Sequence, residues 1–246
     1  QKDSLQLLLL KNIEEKFNSM VPIEENLEYL FKYFKYYFPR TNTPRVIGLI
    51  NNVDYQSKTI YTDSLLLISL DTYLGSDHYL YKGIPEYVRQ EMDIEYLTSH
   101  VASKYAVNKI PPNKDRSLLS QMIYHGKQIY FKELVLPRST DAQKMGYTNE
   151  QIDWVVENEL YMWQYFIQKQ LLYKTDPSLT QRFIDPAPFS KFYLEIDNQS
   201  PGRVGVWMGW QIIRSYMNRY PDTNISDLLN LPAQTLFLKS NYKPKR

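Results

Sequence analysis

Apolar and aromatic residues recur at spacings of three and four through residues 4–37, carried by Leu27, Leu30, Phe31, Phe34, Tyr37 and Phe38. That period predicts a helical opening segment, which Pro39 and Pro44 bring to a stop. Short β-rich runs follow at residues 46–50, 58–61 and 65–70 and read as strands, with Asn51-Asn52-Val53-Asp54 supplying turn chemistry between the first two. From Pro85 helical periodicity returns and holds to about residue 230, ahead of a basic tail at 238–246 with Lys239, Lys243, Lys245 and Arg246. The tail reads as a solvated end. A helix (4–38), a small sheet (45–70) and a long helical run (85–230) make one α+β, mostly helical domain spanning residues 1–246.

Two helices in that run carry finer expectations. Thr148-Asn149-Glu150-Gln151 is a capping box, so one long helix should start at Asn149. Advancing 100° per residue places Ile152, Val156, Glu159, Trp163 and Ile167 within ~60° of one line, with Trp154, Tyr161 and Tyr165 on a second covered face. Glu159 then lies inside an apolar stripe, either tied to buried polar groups or acting as a carboxylate with a raised pKa. Ser200-Pro201 suits the N-cap and first position of another helix. Its glycines at 202, 205 and 209 would let neighbouring backbones pack closely, and Gln211, Arg214 and Ser215 fall on its polar sector.

Composition removes several function classes. Lys plus Arg number 29 against 27 Asp plus Glu, a net of +2, so no clustered basic surface points to nucleic acid. The chain has no Cys, which excludes disulfides, thiolate metal sites and a cysteine nucleophile. No run of apolar side chains exceeds the four residues of 7–10, against the ~20 residues a spanning helix needs. The sequence opens at Gln1 without a signal peptide, as a chain trimmed of its leader would. Tyrosine is abundant, at 22 residues.

Candidate chemistry is sparse. Three His limit any metal site, and the H-E-x-x-H pattern, which sets two imidazoles and a base on one helix face, is absent. Around His100, Tyr96 and Leu97 stand where the first imidazole and the base would be. His125 sits at the edge of an apolar stripe on the next helix, where the ordinary reading is a hydrogen-bonded structural residue. His78 lies in a loop. A weak metal site would need His100 and His125 to meet in space. There is no G-x-S-x-G, and the glycines around 202–209 fit neither a dinucleotide fingerprint nor a P-loop. Glu157 and Glu159, two apart, point ~160° away from each other on a helix. Asp71 ends a strand, where an Asx turn and a functional carboxylate are both common. With Gln211, Arg214 and Ser215 it makes a candidate polar cleft. No cofactor and no resident metal are expected.

The ordered set 70–75 (Leu-Asp-Thr-Tyr-Leu-Gly), Gly126-Lys127, Tyr130-Phe131, 134–137, Gly146-Tyr147-Thr148, Trp154, Asn158-Glu159, Trp163, 171–173, 186–189, 200–203 and 209–216 resembles the gliding-motility lipoprotein GldB family of Bacteroidetes envelopes. The resemblance covers roughly residues 46–216. It implies an envelope protein, anchored at the outer membrane or its periplasmic side through an N-terminal lipid on a Cys absent from this chain, and acting with envelope protein partners. It sets no oligomeric state. More distantly the family resembles zinc-dependent proteases of the zincin type, which implies that the helix holding His100 matches a metal-binding helix and that His125-Gly126 stands where a Glu-Gly pair would supply a third ligand. Tyr96, His100, His125 and Glu159 would then be a vestigial site on a degenerate zincin-like fold.

Three readings follow. The first is a non-catalytic envelope lipoprotein supporting gliding or surface secretion through protein contacts. The second is a peptidase-like hydrolase using Glu159 with His100 or His125. The third is a cell-wall glycan binder that stacks sugars on exposed Tyr and Trp.

Overall fold

A computed structural model describes residues 4–62, 64–195 and 197–244. The chain folds into two compact units, one comprising residues up to Tyr105 together with Leu134–Arg138, the other Ala106–Glu133 and everything from Ser139 on. Helix dominates and one three-stranded sheet is present, giving an α+β, mostly helical protein. Among the described residues no helix is long and apolar enough to cross a membrane.

In the first unit, α1 (Ser4–Lys16) and α2 (Val21–Tyr37) precede β1 (Arg45–Leu49), β2 (Thr59–Tyr61), β3 (Leu65–Ser69), a short α3 (Glu86–Arg89) and α4 (Leu97–Lys109), whose residues up to Tyr105 belong to this unit. The expected single helix over 4–37 is two helices with a break at residues 17–20. Pro22, at the start of α2, has no N–H to continue a ladder from the preceding turn. The sheet order is β1-β3-β2, with β1 parallel and β2 antiparallel to β3. The unbroken apolar run of β3 belongs at that central position, where Leu66 and Ile68 are fully buried. Leu27, Leu30, Phe31 and Phe34 of α2 are buried as the period required, and Phe34 stacks on Tyr105 with ring centroids 3.9 Å apart. A second small core gathers Ile13, Leu74, Tyr81 and Met92.

The second unit holds α5 (Leu118–Val135, up to Glu133), α6 (Asp141–Met145), α7 (Asn149–Glu157), α8 (Glu159–Gln168), α9 (Pro177–Phe183), α10 (Val204–Arg219), α11 (Ile225–Asn230) and α12 (Ala233–Ser240). The Thr148–Gln151 capping box forms in both directions. The helix it starts is shorter than expected. It ends at Asn158 (φ −102°, ψ 7°), where the backbone leaves helical dihedrals; the Asn158 side-chain amide donates to Trp154 O at 2.9 Å beside its own backbone N–H at 3.0 Å. The buried line is Val155, Glu159, Met162 and Phe166, whereas Val156, Tyr161 and Ile167 are exposed. The stripe drawn from Ile152 was therefore displaced, although Glu159 stays buried.

The α10 start also differs. Ser200 is not its N-cap: the hydroxyl donates to Ser190 O and Asp197 O, and Ser190 N donates back to it. The helix begins only after Arg203, held at φ 64°. Ten of the 16 residues of α10 are buried, so it is the central helix of its unit, as its composition indicated. It crosses α5 where Gly209 lies against the Met122 carbonyl and Gly126 against the Gly209–Trp210 peptide. Helices extend beyond residue 230, and residues 238–240 of the expected solvated tail close α12 with Ser240 buried. Lys245 and Arg246 lie outside the described residues.

Candidate functional site

His100 rises from α4 in the first unit with both ring nitrogens engaged. Nδ1 meets the Tyr73 hydroxyl at 2.9 Å and Nε2 meets Glu91 Oε2 at 2.9 Å. Tyr96, one turn earlier, lies with its ring 6.4 Å from the imidazole and nearly parallel to it. A hydroxyl–imidazole–carboxylate line is the skeleton of a nucleophilic triad. Here its hydroxyl end is closed: Tyr73 is fully buried, and burial, reinforced by the Glu91 and Tyr81 charges, pushes its phenol well above the ordinary value. No substrate reaches that oxygen. The imidazole has no free lone pair for a metal, because a ligating His offers one nitrogen to the ion. The Tyr73–His100–Glu91 line instead ties β3's C-terminal turn to the segment that leads into α4.

Asp71, in the 3-10 turn Leu70–Thr72, is also closed in. Its carboxylate accepts from Asn51 N and from Val53 N, the latter at 2.8 Å, and the residue is fully buried. Burial raises its pKa against the opposing pull of those backbone donors. The turn it fixes carries Asn52 and Val53 in succession at φ 59°, a left-handed conformation costly for a β-branched residue. Asp71 is thus the anchor of a strained corner. The other histidine of this unit, His78, caps the turn Tyr79–Tyr81 and meets Asn12 Oδ1 at 3.1 Å through Nε2.

The other candidates belong to the second unit. Glu159, at 4% exposure, accepts from the Tyr242 hydroxyl at 2.7 Å, which ties the end of the chain to α8. Burial and then the Glu159 charge push the Tyr242 phenol strongly upward. Arg214 of α10 bridges two acids: Nε donates to Glu133 Oε2 at 2.8 Å, and the guanidinium reaches both Asp141 oxygens at 3.0 and 2.9 Å. Trp210 Nε1 shares Glu133 at 2.7 Å, and the guanidinium sits 3.8 Å over the indole. Burial alone would raise Asp141, but the Arg214 hydrogen bond and charge, helped by Lys144, outweigh it and hold the carboxyl below its usual value. Ser215 donates to Ser240 O at 3.0 Å. Gln211 Nε2 is buried without a partner, as is Trp207 Nε1 one turn before it.

His125 stands on α5, edge-on to Tyr124 with ring centroids 5.1 Å apart, and no hydrogen bond holds its ring among the described residues. The expected hydrogen-bonded histidine is therefore one held by packing. Burial, with a smaller contribution from Arg203, pushes its pKa down to about 4. The unfolded chain then binds the proton more readily between pH ~6.5 and about 4, so stability is complete above the upper value and falls on acidification through that window. The loss amounts to about 3 kcal/mol by pH 4. Urea unfolding at pH 7 and pH 4.5 is expected to show a smaller drop for His125→Gln than for the unaltered protein; equal drops would refute it.

Among the described residues no three His, Cys, Asp or Glu side chains are grouped to hold a metal ion. Two larger cavities were invisible in the sequence. One, of about 500 Å³ in the first unit, runs between α2 and the sheet and is mostly apolar, with Leu27, Phe31, Val46 and Ile68 in its walls. The other, of about 460 Å³ in the second unit, is lined by residues 111–115, by Lys127 of α5 and by residues 229–234.

The family described as "Gliding motility protein GldB" matches residues 1–244. The chain belongs to this family. Its members are named for gliding motility, and membership ties this GldB-family chain to that process. No curated protein and no solved structure matches the chain, so the zincin likeness implied by the sequence gains no support from either side. The match also takes in α1 and α2, ahead of the stretch that first suggested the family.

Proposed function

We propose that this protein is a non-catalytic cell-envelope lipoprotein that supports gliding motility, or the surface secretion machinery associated with it, through protein contacts. The engagement of both His100 nitrogens by Tyr73 and Glu91 carries the reading, since it takes the strongest catalytic candidate out of service. The Tyr242 hydroxyl on Glu159 supports it, because that carboxylate is turned to the chain's own interior. A second support is α1, where Leu5, Leu7, Leu8 and Leu10 remain 40–46% exposed. Leu5 with Leu8 and Leu7 with Leu10 leave apolar side chains on two flanks of the helix, suited to contact. A lipid on a Cys upstream of this chain would hold that helix near a bilayer, and stable anchoring takes more than one acyl chain.

Complementation of a non-gliding deletion strain tests it. His100→Gln and Glu159→Gln, at normal protein level, are expected to restore colony spreading, whereas Leu5→Ser with Leu8→Ser should not, despite unchanged thermal unfolding. Loss of spreading in a stably folded His100→Gln protein would sink the non-catalytic reading.

A further inference from the structure

The cavity around Lys127 has the construction of a ligand site. Lys127 is 93% buried by the complement of its 7% exposure, and its ammonium donates to Leu229 O and Leu231 O, both at 2.7 Å. Those carbonyls sit at the C-terminal end of α11, where the helix dipole favours a cation. An ammonium has three N–H donors, so one is left over, and Lys127 lines the cavity. Across the same space Asn113 Nδ2 is buried with no hydrogen-bond partner. An amide in that state costs about 1–3 kcal/mol unless something enters to accept from it. The first turn of α12 also borders the cavity and carries no side-chain cap.

These groups agree in sign. Lys114 and Lys127 are cationic, and Asp115 is the single acid in the lining. Its carboxylate is already turned to Ser117 N, Ser117 Oγ and Ser120 Oγ, which hold its pKa below the usual value. The cavity therefore offers hydrogen-bond donors and a net charge of one positive unit, between walls that include Pro111, Pro112, Ile123 and Leu231. A monoanion with a small apolar body meets that charge; a phosphate dianion would leave one charge unmatched. The volume of about 460 Å³ falls in the ~300–1,000 Å³ range of small-molecule sites.

We propose that this cavity binds a small carboxylate, either a free organic acid or the C-terminal end of a peptide, with Lys127 Nζ and Asn113 Nδ2 as its donors. Burial holds the Lys127 ammonium down to about 8, the condition of a cation short of counter-charge, and a bound carboxylate supplies that charge. The site shares no residue with the Tyr73–His100–Glu91 line or with Glu159, and it does not depend on how the protein serves motility.

Calorimetric titration of the full chain with acetate, N-acetyl-Ala-Ala, the C-terminal amide of that dipeptide and inorganic phosphate tests the proposal. Saturable binding of a carboxylate is expected, at least tenfold tighter than the amide. A preference for the dipeptide over acetate assigns the peptide end, and the reverse assigns the free acid; either supports the site. Asn113→Ala should weaken binding about fivefold, the equivalent of one hydrogen bond, with unfolding unchanged. Lys127→Met should weaken it at least tenfold; because it also strips the Leu229 and Leu231 carbonyls, the Asn113 variant keeps the test valid if this one fails to fold. Equal binding of acid and amide, tighter binding of phosphate, or no saturation of either acid by about 20 mM would overturn the proposal.

Discussion

Gly209→Ala is expected to lower the thermal midpoint by about 6–12 °C, corresponding to about 3 kcal/mol. Intrinsic preference argues the other way, since alanine in a helix interior is favoured over glycine by about 1 kcal/mol. Contact decides the sign. A Cβ on Gly209 would overlap the Met122 carbonyl, and one on Gly126 would overlap the Gly209–Trp210 peptide. The obstructing atoms are backbone, so no rotamer change relieves the clash and α10 would have to lift off α5. Ser215→Ala, on the same helix, removes only a hydroxyl bonded to Ser240 O and should cost about 1 kcal/mol. Differential scanning calorimetry of the two variants separates these effects; a Gly209→Ala protein as stable as the unaltered one would show that the helices do not cross there.

Arg214→Met is expected to cost a comparable 3 kcal/mol or so, because it leaves Glu133 and Asp141 facing each other's charge without the guanidinium that joins them. The shared arginine matters more than either ion pair taken singly. Adding Glu133→Gln to Arg214→Met removes the stranded charge, while Asp141 keeps Lys144 at 3.3 Å, and should recover most of the loss, as neutral replacement in a partly buried ion network commonly does. Chemical denaturation of the single and double variants reads this directly. No recovery in the double variant would mean that the packing of the guanidinium over Trp210, 3.8 Å away, is what holds α10 to its neighbours.

Much of the fold could be read from pattern alone. The period of α2, the apolar run of β3, the Thr148 capping box and the glycine-rich helix all concern neighbours in sequence, where spacing determines which faces meet. The two breaks at residues 17–20 and at Asn158 were missed because apolar spacing continues across both, while a proline removes an N–H at the first and the backbone leaves helical dihedrals at the second. Ser200 failed as a cap for a tertiary reason: its hydroxyl bonds the chain at Ser190, and no local rule contains that approach.

The site was less legible. Tyr96 and His100 were singled out from their position on one helix, yet Glu91 and Tyr73, the partners that silence His100, come from other elements, and no spacing rule links either to it. Glu159 is buried, and its partner Tyr242 lies 83 residues away. Lys127 entered only as half of a Gly-Lys pair. Its two carbonyl partners lie 102 and 104 residues away, and the unpartnered Asn113 that lines the same cavity carries no motif. The remaining signal, an unusual Pro-Pro-Asn-Lys-Asp loop, describes a surface loop equally well.

The corner at Asn52 and Val53 has a bearing on the order in which the first unit assembles. Its geometry is unfavourable by itself and is fixed by a carboxylate 18 to 20 residues downstream. During synthesis the corner leaves the ribosome well before Asp71 does, so β1 has no defined exit until β3 has been delivered. Amides at 51 and 53 should accordingly become protected from hydrogen exchange no earlier than the β1–β3 ladder, making this bend a late latch on the sheet instead of a seed for it.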